Sequence, residues 1–124
     1  MAEQVGASPW PTEIRLKSAE KILEIDFDDG RKFRLPAEYL RVESPSAEVQ
    51  GHGPGQKTLV AGRKHVGILA LEPVGNYAVR IKFDDLHDTG IYSWAYLYEL
   101  GMKQAENWKA YLAALEKHGL KREP

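Results

Sequence analysis

The chain contains no cysteine. That excludes a disulfide framework, a thiolate zinc cage, thiolate-held iron–sulfur clusters and a cysteine nucleophile. No apolar run approaches the roughly 18 residues that a membrane-spanning helix needs, and the start shows no basic-then-apolar signal segment. Positive charge is not in excess either. Seventeen basic residues face 18 acidic ones and the pI is near 6.4, so the surface is not built to neutralise a phosphate backbone. No glycine loop is followed by Lys-Ser/Thr, and no Gly-x-Ser-x-Gly elbow occurs. These absences point away from nucleic acid, membrane and the common hydrolase and nucleotide sites. The cytoplasm is the expected compartment.

What is present suits one globular domain. At 124 residues and 43% hydrophobic, the chain can build a single core but not two. Residues 1–10 read as a flexible leader, 11–119 as the domain, and 120–124 as a tail. Glu13–Leu16, Lys21–Phe27 and Arg31–Leu35 alternate apolar and polar at the period of half-buried strands. Asp28-Asp29-Gly30 forms the hairpin turn between the last two. Pro36 opens a short helix through about Arg41. From Val42 to Gln56 little is apolar enough to bury, which predicts a loop. Val66–Val74 and Tyr77–Phe83 form a second hairpin, with Tyr77, Val79, Ile81 and Phe83 on one face. Ile91-Tyr92 pairs briefly before Ser93 caps a helix that carries Trp94, Leu97, Tyr98 and Leu100 and stops at Gly101. A last helix, 103–118, shows Trp108, Tyr111, Leu112 and Leu115 as its stripe and ends at Gly119. The expected class is α+β: antiparallel hairpins forming a small sheet or sandwich, then helices including a C-terminal one.

The densest chemistry lies in Phe83–Trp94, where Asp84, Asp85, His87 and Asp88 crowd beside Tyr92 and Trp94. An imidazole among carboxylates suits a zinc or hard-metal site. It equally suits a polar turn, because Asp and His tolerate unusual dihedrals. His52 and His65 flank the flexible stretch as further ligand candidates. Ser44, Ser46 and Ser93 lack a nucleophile's context, so no enzyme is expected. Trp94 and Tyr98 share a helix face that reads as core. Tyr92 and Tyr96 are then expected to face solvent in part, as docking tyrosines do.

Taken in order, Pro11–Leu16, Phe27–Gly30, Leu35–Arg41, Ser44–Glu48, Tyr77–Phe83 and His87–Trp94 resemble one family. It is a domain of unknown function also found as the N-terminal domain of γ-butyrobetaine hydroxylase, and the likeness spans about residues 10–101. The resemblance implies a stand-alone bacterial form. It also implies kinship with domains fused to Mrp-type P-loop ATPases that carry iron–sulfur clusters. In the hydroxylase this domain holds zinc through a Cys-Pro-Cys-x-x-Cys stretch and a distant histidine. Those positions fall here on Ser44, Ser46, Val49 and His87, so one ligand of four is kept and no zinc cofactor is expected. The expected function is a non-catalytic interaction module that presents His87, Asp88, Tyr92 and Trp94 to a protein partner. An iron–sulfur carrier ATPase is the partner implied by the fusions. The alternative is a metal-binding protein anchored on His87, with His52, Asp85 or Asp88 completing the shell.

Overall fold

A computed structural model of the chain describes residues 9–51, 53 and 55–124. The leader up to Ser8, and His52, lie outside the described residues. The elements run β1 (Pro11–Lys17), β2 (Ile22–Phe27), β3 (Lys32–Pro36), α1 (Ala37–Val42), α2 (Ala47–Gln50), β4 (Ile68–Val74), β5 (Ala78–Phe83), β6 (Ile91–Ser93), α3 (Trp94–Met102) and α4 (Gln104–Lys117). They make two antiparallel three-stranded sheets, β1-β2-β3 and β4-β5-β6, and the fold is α+β.

Register follows the period-two pattern of the sequence. In the first sheet Leu16 faces Leu23 and Ile14 faces Ile25, while Leu23 faces Leu35 and Ile25 faces Phe33. Because alternate side chains take opposite faces, Glu24 and Asp26 point away from that core. There Arg15 ties them together, at 2.8 Å and 3.0 Å. In the second sheet Leu71 faces Ile81, and Val79 lies between Pro73 and Tyr92. Leu23, Ile25, Phe27 and Leu35 join Val79, Ile81, Phe83 and Tyr92 in one core cluster, closed by Leu40 of α1 and by Leu97 and Leu100 of α3. One continuous apolar interior therefore holds both hairpins against the helices.

Four local expectations change. The 42–56 stretch is not all loop: Ser46 caps α2 by accepting the Glu48 N–H at 3.2 Å, and Val42, Ser44 and Val49 are buried. Gly101 does not stop α3. It lies within the helix, and a Cβ there would stand 2.4–2.6 Å from three Phe33 ring carbons, so this glycine is a packing residue. Leu112 and Tyr77, read as inward, are exposed. Residues 120–124 are also tied to the domain. The Lys121 and Arg122 carbonyls accept from Gly62 and Lys64 at 2.9 and 3.0 Å, and Arg122 pairs with Glu38.

Candidate functional site

The turn between β5 and β6 is where the acidic, imidazole and serine residues meet. β5 delivers its N-terminal side, since the Phe83 N–H donates to the His87 carbonyl at 3.0 Å. The loop after α1 brings Ser44 and Ser46 to the other side. Gly90 allows the approach: a Cβ on it would sit 2.6 Å from Ser44 Oγ and 3.0 Å from the Tyr92 ring. Ser46 Oγ reaches Thr89 Oγ1 at 2.7 Å.

At the centre, Ser44 Oγ lies 2.9 Å from His87 Nε2, and His87 Nδ1 lies 3.0 Å from Glu48 Oε1. A carboxylate can only accept from Nδ1–H, so Nε2 is left as the acceptor for the Ser44 hydroxyl. Burial, reinforced by the Arg41 guanidinium, holds the His87 pKa below its ordinary value against the opposing pull of Glu48 and Asp85. The imidazole is therefore neutral near pH 7.

Serine, imidazole and carboxylate in this order have the connectivity of a hydrolytic triad. Access is what differs. Ser44 has 0% of its surface exposed and His87 6%, and Ser44 Oγ also receives the Ser46 N–H at 3.2 Å. The clefts beside α4 and beside residues 62–66 are lined by neither residue. With its oxygen enclosed and one of its lone pairs on the Ser46 N–H, the Ser44 hydroxyl does not open onto solvent. The trio works as a latch between two loops.

A second latch sits beside it. Asp85 Oδ2 accepts from Arg41 Nε at 2.8 Å and from Arg63 Nε at 2.7 Å, while Oδ1 accepts the His87 N–H at 3.1 Å. Burial pushes the Asp85 carboxyl up, but the Arg41, His87 and Arg63 contacts outweigh it and leave it below the ordinary range. Arg41 is nine-tenths buried, and its Nη1 has no protein partner. Asp85 is thus the counter-ion of an interior guanidinium.

The docking residues expected from sequence separate on this frame. Asp88 is exposed, and Trp94 is half-buried with its indole N–H on the Asn76 carbonyl at 2.9 Å. Tyr92 is fully enclosed and donates to the Leu40 carbonyl at 2.5 Å; burial drives its pKa well up. The expectation that Tyr92 faces solvent is corrected, and His87, held within the latch, is no surface contact either. Tyr96 is half-buried, with its hydroxyl on the Glu43 carbonyl. The residue that sequence reasoning missed is Leu86. It stands 85% exposed at the apex of the turn with φ +73°, flanked by exposed Asp84 and Asp88. Its only sequence signal was a leucine placed among turn-forming acids.

The donor set does not suit zinc. Ser44 and Ser46 offer neutral hydroxyls, Val49 offers none, and both His87 nitrogens are engaged inside the protein. Among the described residues no group of three or more His, Cys, Asp or Glu is placed to hold a metal ion, so Asp85 and Asp88 do not form a ligand set with His87. His65 is an exposed residue of the 62–66 cleft. Among the described residues no helix is long and apolar enough to cross a membrane.

No curated protein matches the chain. Two NMR solution structures match closely. One is 50% identical, covering 100% of this chain and 92% of the other; the second is 45% identical, covering 94% and 91%; both give a TM-score of 0.82. A crystal structure from Acidithiobacillus ferrooxidans, of a protein with unknown function in the DUF971 family, is 41% identical over 73% of this chain and 91% of that one, with a TM-score of 0.62. The family model "Gamma-butyrobetaine hydroxylase-like, N-terminal" matches residues 14–98, and the chain belongs to that family.

Proposed function

We propose that the protein is a non-catalytic interaction module whose recognition element is the β5–β6 turn. One observation carries this reading: a rigidly latched loop presents a leucine to solvent. Asp85 is held by two guanidiniums and His87 by Ser44, with Glu48 on its other nitrogen, so the backbone between them is braced on both sides. Leu86 is then held outward in a left-handed conformation that leucine ordinarily avoids. Preorganisation of this kind lowers the ordering cost of association. An apolar tip between two carboxylates suits a basic partner surface with an apolar recess.

The fusions implied by the resemblance make an iron–sulfur carrier ATPase the first partner to test, and the cytoplasm is the compartment this reading assumes. The enclosed Ser44 hydroxyl supports the non-catalytic part. A Leu86→Ser, Asp88→Asn double variant should keep the wild-type melting temperature and lose co-purification with the purified ATPase. Retention of the ATPase at wild-type level by that folded variant removes the turn from the interface.

A further inference from the structure

At Glu38 of α1 the chain grips its own C-terminal segment. Arg122 donates from Nε and Nη2 to the two carboxylate oxygens of Glu38, at 3.0 and 2.7 Å. Its guanidinium carbon stands 5.4 Å from the centre of the Trp108 ring. A planar fork on a carboxylate, stacked over an indole, is the geometry that selects arginine over lysine. Glu38 is 7% exposed at its side chain, so its charge needs a cation wherever the C-terminal segment goes.

The segment that supplies this cation is lightly attached. Of residues 119–124 only Arg122 is even half-buried. Gly119 and Leu120 close the end of α4 with their N–H groups on the Glu116 and Leu115 carbonyls. Past them the segment is tied by the Gly62 and Lys64 N–H bonds to the Lys121 and Arg122 carbonyls and by a Lys64–Glu123 pair of exposed side chains at 3.3 Å. Beyond Arg122 the site opens into a cleft of about 650 Å³ walled by Pro36, Tyr39, Met102, Gln104 and Ala105. There is room beside the guanidinium for more of an arriving chain.

We propose that Glu38 and Trp108 form a guanidinium-binding site, filled in the resting protein by Arg122 and open to an arginine side chain of a protein partner that displaces the C-terminal strap. Tethering gives Arg122 an effective concentration on the order of millimolar. A partner arginine wins by adding contacts along the cleft.

The test uses the full-length chain with Arg122→Ala and Arg122→Lys, titrated with N-acetyl-arginine amide and followed by the Trp108 indole N–H resonance. Both variants should show a saturable shift with affinity on the order of tenfold above wild type, and N-acetyl-lysine amide should bind far more weakly. If Arg122→Ala fails to fold, Arg122→Lys decides, because it keeps a cation near Glu38 without the fork. Equal affinity in wild type and variants, equal response to the lysine probe, or no saturable shift in a folded variant overturns the proposal.

Discussion

Replacing His87 by alanine tests the claim that this residue is a buried strut. The change removes the acceptor of the Ser44 hydroxyl and the donor to Glu48, and it takes away a ring whose centre lies 6.1 Å from that of Phe83. Ser44 Oγ keeps the Ser46 N–H but loses a partner for its own proton in a site closed to water. An unsatisfied buried donor costs about 1–3 kcal/mol. The vacated ring volume adds roughly 1 kcal/mol. The Glu48 contact contributes little, because that carboxylate is 63% exposed. The total is about 2–4 kcal/mol. For a chain of this length that lowers the melting temperature by roughly 8–15 °C.

The pH dependence supplies an independent check. His87 titrates below its ordinary value when folded, so the unfolded chain binds the proton more readily. Stability is complete above the unfolded value, about 6.5, and falls as pH drops from there through the folded value. Calorimetry and urea denaturation between pH 7.5 and 5 should show this slope in wild type and its loss in His87→Ala. A variant melting within a degree or two of wild type, with the slope unchanged, would refute the strut and return His87 to the surface.

Two further substitutions probe the frame. Gly101→Ala gains about 1 kcal/mol of helix propensity, yet it drives a methyl into the Phe33 ring, an overpacking cost of about 1–3 kcal/mol. It should destabilise the native chain and turn stabilising in a Phe33→Ala background, so a double-mutant cycle in urea must show the sign change. Asp85→Ala strips the counter-ion from Arg41, whose Nη1 already lacks a protein partner. It should cost about 3–5 kcal/mol, and an Arg41→Met, Asp85→Ala pair should recover much of that in thermal melts.

Local periodicity was enough for the strands, the two hairpins, the Ser93 cap and the late helices. Each of these is dictated by side chains within a turn or two of one another. Leu23, Ile25 and Phe27 had to share a face whatever lay opposite. The family resemblance rested on the same local motifs, and it singled out Ser44, Ser46, Val49 and His87 as one neighbourhood. What local pattern could not supply was burial of polar groups. Tyr92 reads as a surface tyrosine until Leu40, 52 residues away in sequence, offers its carbonyl. The 42–56 stretch reads as a loop until α2 turns Val49 inward and Gly90 admits Ser44 to His87. Gly101 reads as a stop until Phe33 arrives beside it. Leu86 sits among turn-forming acids, and its outward, left-handed placement rests on the contacts that Arg41 and Arg63 make to Asp85 and that Ser44 and Glu48 make to His87. In each case the deciding atom belongs to a distant segment. Whether a polar group is enclosed or exposed depends on whether that segment brings the matching donor or acceptor.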